Sequence, residues 1–218
     1  MSARDVILGR IRAARGQAGS GTAPHPRPGP GTIPVRGQGT PDERVRTFIS
    51  EAEQVGATTA RVAGAGDVPG ALAAYLAGRN MPRRVRLAPA AEAFPWETAD
   101  TLETMTGRAE DSDGVGVSVA FAGVAETGTL VLLSGADNPT RLNFLVETHV
   151  VVIDAATIEG AYEDVWKTLR TSRANETTLM PRTVNWITGP SRTADIEQTL
   201  LMGAHGPKDL HIIVVGDA

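Results

Sequence analysis

The sequence predicts an α/β domain built on a mostly parallel sheet, and three observations carry that prediction. Short branched apolar runs, Val150 to Ile153 and Leu210 to Val215 among them, have the composition of strands buried on both faces. Amphipathic helical patterns, such as Val45-Phe48-Ile49-Ala52-Val55, lie between such runs. Glycine-bearing turns separate the two kinds of segment, the alternation from which βαβ units are made.

Composition bounds the rest. A chain of 218 residues with 41% hydrophobic content can bury a substantial core in one domain with an appendage. Its formal charge of −4 and only nine aromatic residues give no basic, aromatic-interleaved surface for nucleic acid. Cysteine is absent, which removes disulfides, thiolate nucleophiles and cysteine-ligated zinc or iron–sulfur clusters from this chain. No apolar run is long enough to span a bilayer and the first residues lack a secretory apolar core, so a cytoplasmic location is the expectation.

In chain order, Ile7, Leu8, Ile11 and Ala14 mark an N-terminal amphipathic helix over residues 1–15 that needs something to lie against. Residues 16–41 are half Gly or Pro and predict a linker. Thr40-Pro41-Asp42-Glu43 then supplies an N-cap, a first-turn proline and the glutamate of a capping box, opening a single domain over 42–218. The first helix ends at Gly56, and Thr58 to Ala63 predicts a strand. Gly64-Ala-Gly66 follows, a near-miss of a dinucleotide fingerprint because Pro69 stands where the third glycine belongs; Asp67 is expected to cap the next helix, through Ala71, Leu72, Tyr75 and Leu76. Val85 to Ala88 predicts another strand, while 89–113 is less periodic, with Phe94, Trp96, Leu102 and Met105 packing a loop or short helix.

Val115, Val117, Val119 and Phe121 alternate with Gly116, Ser118, Ala120 and Ala122, a strand whose slim face admits another backbone close by. Glu126-Thr127-Gly128 turns into a second strand, Thr129 to Leu133. A carboxylate at such a turn is a candidate nucleophile, base or substrate ligand, or a solvated turn residue. The loop from Gly135 to Pro139 leads to Arg141, a candidate for an anionic group, and His149 opens the strand Val150 to Ile153 as a candidate proton shuttle. Ile158, Ala161, Tyr162, Val165, Trp166 and Leu169 predict a helix with Trp166 in the core.

The last segment holds the most concentrated signal. Val184 to Thr188 predicts a strand, Gly189-Pro-Ser-Arg-Thr-Ala-Asp-Ile-Glu197 a strand-to-helix turn, and Ile196, Leu200 and Leu201 a helix ending near Gly203. Ser191 and Arg192 could then hold an anion at the helix N-terminus, or Ser191 or Thr193 could simply cap it, with Asp195 and Glu197 favouring its positive end. The final strand would lie parallel to Val184–Thr188, and His205, beyond the crossover helix, would be far from Ser191.

Ala125-Glu-Thr-Gly-Thr-Leu130, Gly189 to Glu197 and Gly203-Ala-His-Gly-Pro207, in this order and spacing, resemble the lactate utilization protein C family of LUD-domain proteins. The resemblance runs from about Pro41 to the C-terminus; Leu145-Val146 departs from the family's more usual Leu-Pro before the His-bearing strand. It implies a NagB/ribose-phosphate isomerase/CoA-transferase-like α/β fold, a mostly parallel sheet flanked by helices with an antiparallel β excursion. It also implies a part in oxidising L-lactate to pyruvate alongside two iron–sulfur partner proteins, the clusters being expected only on those partners. Under that resemblance Glu126 is the candidate catalytic residue, and Thr127, Arg141, Ser191 and Arg192 are the candidate substrate-binding residues; no metal or bound cofactor is expected on this chain. A non-catalytic assembly subunit and a stand-alone sugar-phosphate isomerase or CoA-transferase-like enzyme remain as alternatives.

Overall fold

The computed structural model describes residues 3–17, 33–175, 180–196, 199–202 and 205–217. Helix α1 (Ala3–Gln17) belongs to a first unit, Met1–Thr32, and carries the exposed apolar side chains Val6, Ile7 and Ile11. Most of the glycine- and proline-rich stretch, residues 18–32, lies outside the described residues. The second unit begins at Ile33 and takes in the end of that stretch, where Gly37 is buried against Gly160.

The elements of this unit follow in order. Helix α2 (Pro41–Gln54) is started by the capping box, Thr40 N–H donating to Glu43 Oε2 at 2.9 Å and Glu43 N–H to Thr40 Oγ1 at 3.4 Å. Then come β1 (Thr58–Val62), α3 (Val68–Gly78), β2 (Arg84–Leu87), β3 (Glu103–Thr106), β4 (Val115–Val119), β5 (Ala122–Val124) and β6 (Thr129–Leu133). The short helix α4 (Leu142–Leu145), β7 (Thr148–Asp154), β8 (Ile158–Glu159), α5 (Tyr162–Ser172), β9 (Val184–Ile187), β10 (Arg192–Ile196), β11 (Thr199–Met202) and β12 (Asp209–Val215) complete it. Asp67 accepts the Gly64 N–H (3.2 Å) in the turn before α3; its side chain does not cap the helix.

Strands order as β1-β12-β7-β4-β2-β3 in a six-stranded sheet whose neighbours all run parallel. A second sheet, β8-β5-β6-β9, contains the antiparallel pairs β5–β6 and β6–β9. One face of the parallel sheet packs Val150, Val152 and Ile213 against Val68, Leu72 and Leu76 of α3. The other packs Val151, Ile153, Ile212 and Val214 against α2 and the second sheet, through Phe48, Leu130 and Leu132. The outer face of the second sheet meets α5 through Val165. Helix α5 begins at Tyr162, not Ile158, which pairs in β8, and Trp166 is half-buried with its ring 5.3 Å from that of Trp186.

Two expectations for the C-terminal segment are corrected. The stretch after Gly189 forms a β-hairpin, β10–β11, with Arg192 opposite Met202 and Ile196 opposite Thr199, in place of a helix. Thr193, Ile196 and Thr199 are β-branched, and a run as short as Thr199–Met202 fits a strand as well as a helix turn. Glu197 and the helix end placed at Gly203 lie outside the described residues. Without a crossover helix the flanking strands do not join one parallel sheet: β9 pairs antiparallel with β6, and β12 lies between β1 and β7.

Candidate functional site

The hairpin brings together what a helix would have held apart. Gly189 takes a left-handed conformation (φ 76°) against Val55, and the chain then turns so that Ser191 N–H donates to Pro207 O at 2.8 Å. A Cβ on Gly206 would stand 3.4 Å from that of Ser191. The Gly-Pro-Ser and His-Gly-Pro turns are therefore neighbours, and Ser191 and His205 line one pocket, contrary to the separation expected from the sequence.

This pocket has a volume of about 210 Å³. Its walls also include Trp186, Thr188 and Leu210, with Asn143 of α4 and His149 of β7. The slim face of β4 explains the last two. Gly116 leaves room for Leu142 and Val146, so α4 lies close against the sheet and Asn143 reaches Ser118. Ser118 Oγ donates to Asn143 Oδ1 at 3.1 Å and lies 3.0 Å from His149 Nε2. A hydroxyl has one proton; with it committed to Asn143, Ser118 accepts from His149 Nε2–H. The other ring nitrogen, Nδ1, is then a bare lone pair.

His149 is fully buried, and burial pushes its pKa down to about 3, so the ring is neutral at ordinary pH. Its Nδ1 and the Asn143 Nδ2 have no hydrogen-bond partner among the described residues. Buried polar atoms are normally paired; these two, on residues that line one pocket, are left unsatisfied by the described protein groups. In the sequence His149 is a strand-end residue and Ser118 only a small one; Asn143, a polar residue inside Leu142-Asn143-Phe144-Leu145, is the available signal.

The other sequence-predicted residues are distributed around this pocket or away from it. Thr127 reaches it indirectly: its Oγ1 lies 2.7 Å from Thr129 Oγ1, which lies 2.7 Å from Thr188 Oγ1, and Tyr162 OH stands 3.0 Å from both Thr127 and Thr129. Glu126 is 6% exposed, with its N–H donating to Gly160 O at 3.2 Å, and is not among the pocket's walls. The Arg192 guanidinium lies over Gly56, where a Cβ would overlap it. Arg141 is exposed, 3.8 Å from Asp111, and lines a separate cleft. Glu126, Arg141 and Ser191 thus do not converge on one cavity. Among the described residues no group of three or more His, Asp or Glu side chains is arranged to hold a metal ion, and no helix is long and apolar enough to cross a membrane.

A family model described as the LUD domain matches residues 45–215. A lactate utilization protein C of Bacillus subtilis (strain 168) is 35% identical over 123 residues, 56% of this chain and 50% of that protein. One of Halalkalibacterium halodurans is 36% identical over 115 residues, 53% of this chain and 49% of its own length. The matched stretch spans about half the length of these relatives. The crystal structure of a DUF162-family protein from Deinococcus radiodurans shares the fold with a TM-score of 0.62 at 24% identity, over 82% of this chain and all of that one.

Proposed function

Because this chain belongs to the LUD-domain family, we propose that it serves a cytoplasmic system oxidising L-lactate to pyruvate as the component that holds the 2-hydroxy acid. The observation that carries this reading is the unspent pair on the pocket wall, the His149 Nδ1 acceptor and the Asn143 Nδ2 donor. A 2-hydroxy acid presents the complement, a hydroxyl proton beside carboxylate oxygens. His149 receives the hydroxyl hydrogen bond, Asn143 donates to a carboxylate oxygen, and Ser191 and Thr188 add hydroxyl donors at the rim. Thr127 acts through Thr129 by holding Thr188 in place.

A ring neutral down to about pH 3 is an acceptor that orients the hydroxyl, not a store for its proton. Oxidation of lactate to pyruvate breaks the hydroxyl O–H and the Cα–H bond and releases two electrons and two protons, the protons passing to solvent. In this proposal the electrons leave to iron–sulfur partner subunits, since a chain without cysteine has no thiolate to bind a cluster. The finer likening of the fold to the NagB/ribose-phosphate isomerase/CoA-transferase class belongs to the same proposal. So does a part in turnover for Glu126, which is buried but outside the pocket's walls and would act through its neighbours; Glu126→Gln should then lower kcat with KM for lactate unchanged, and an unchanged kcat overturns it.

Lactate-dependent dye reduction by the assembled system tests the reading. Asn143→Ala and Ser191→Ala should each raise KM for lactate several-fold to about tenfold, the loss of one hydrogen bond of about 1 kcal/mol, with assembly unchanged. Activity that survives omission of the chain overturns the proposal. An assembly subunit, the alternative favoured by the exposed Val6, Ile7 and Ile11 of α1, predicts full activity in both pocket variants and lost assembly on replacing α1's apolar side chains.

A further inference from the structure

A second cleft among the described residues is larger than the lactate pocket. It has a volume of about 580 Å³ and lies off the carboxyl ends of β2 and β3, where open parallel sheets usually bind ligands. Three arginines line it, each from a different loop: Arg108 just beyond β3, Arg141 before α4, and Arg182 before β9. Among the described residues no acidic side chain is on its walls, in a chain whose formal charge is −4. Arg141 has Asp111 at 3.8 Å, both largely exposed, a pair of little strength; Arg108 and Arg182 have no ion pair among the described residues.

The loops that carry these charges are fixed to one another. Ser134 N–H donates to Thr183 O at 3.0 Å while Thr183 N–H donates to Ser134 Oγ at 2.8 Å. Ala90 N–H donates to Asp137 O at 2.9 Å, and Gly107 N–H to Leu87 O at 2.9 Å. Ser134 Oγ accepts in its bond, so its own proton remains to donate into the cleft it lines.

We propose that this cleft is a second ligand site, independent of the lactate pocket, and that it takes an organic diphosphate of nucleotide size. Three guanidinium groups lining one cleft, with no carboxylate among its described walls, call for several negative charges on one ligand, and the guanidinium fork matches phosphate oxygens. A lone carboxylate carries too little charge for three arginines. The volume is that of a ligand much larger than lactate or free phosphate.

Titration calorimetry of the full chain with ADP and with inorganic pyrophosphate tests this, with L-lactate as the phosphate-free control. Both phosphates should bind saturably and compete, ADP more tightly, and rising salt should weaken both. Arg108→Gln and Arg182→Gln should each weaken ADP by about tenfold, the loss of one charge-assisted contact, while Ser191→Ala leaves it unchanged. Both arginines are exposed loop residues, and an unchanged circular dichroism spectrum and melting temperature show that their variants fold. Absence of saturable phosphate binding, or ADP affinity retained in the double arginine variant, overturns the site. Pyrophosphate binding without ADP binding overturns its assignment to an organic diphosphate. None of these results bears on lactate binding at Ser191.

Discussion

Acidification should destabilise this protein through two buried histidines well before its carboxylates are protonated. His149 is fully buried and His211 is 3% exposed, stacked on Tyr75 at 3.8 Å with its Nδ1 2.9 Å from Thr58 Oγ1. Burial lowers their pKa values from 6.5 to about 3 and about 4. The folded state therefore keeps both rings neutral over a range in which the unfolded chain protonates them. Stability is full above pH 6.5 and falls as pH drops toward 4, because the unfolded state binds more protons. At pH 5 each ring has crossed about 1.5 units of that gap, worth about 2 kcal/mol at about 1.36 kcal/mol per unit, or about 4 kcal/mol for the pair. That is a large share of a typical folding free energy of about 5–15 kcal/mol. Urea unfolding between pH 7.5 and 5 measures the slope. His149→Gln should remove close to half of it, whatever the variant's stability at pH 7.5, and His211→Gln the other half. A His149→Gln slope equal to the wild-type slope would refute the neutral, buried assignment.

Other outcomes follow from the packing. Gly128→Ala should cost about 2–4 kcal/mol in urea unfolding, because φ is 62° and the added Cβ would overlap the Ala52 backbone in α2. Asp113→Asn should cost about 3–5 kcal/mol by the same assay, since it strips the charge from the carboxylate that pairs with Arg86, 5% exposed, at 2.7 Å. Burial alone would raise the Asp113 pKa, but the Arg86 hydrogen bond, the Glu110 N–H and the Arg86 charge together hold it below its ordinary value. Ser118→Ala should cost about 2 kcal/mol, leaving His149 Nε2–H and Asn143 Oδ1 unpaired, and should weaken lactate binding by loosening both side chains.

The parallel sheet was legible because its central strands are buried on both faces, and Thr148–Asp154 and Asp209–Val215 are near-continuous apolar runs. The capping box at Thr40 and the slim face of β4 were legible for equally local reasons. β3 was not: Glu103–Thr106 is exposed throughout and shows no alternation, being held by pairing with β2 at the sheet edge. The segment after Gly189 is misread as a helix start where it forms a hairpin, because Ser, Thr and Asp stabilise turns as readily as helix starts. That mistake separated Ser191 from His205. The Ser118–Asn143–His149 network was out of reach for a different reason: its members lie 25 and 31 residues apart, and only the approach of α4 to the glycine of β4 joins them.

The central claim, that His149 offers a bare Nδ1 to the hydroxyl of a 2-hydroxy acid, is most directly tested by nitrogen NMR of the imidazole during titration with L-lactate. The account predicts the Nε2–H tautomer in the free protein and an Nδ1 resonance that moves saturably as lactate binds, with the midpoint of that movement shifted to several-fold to about tenfold higher lactate in Asn143→Ala. An Nδ1–H tautomer, or an Nδ1 resonance indifferent to lactate at every concentration, would contradict it.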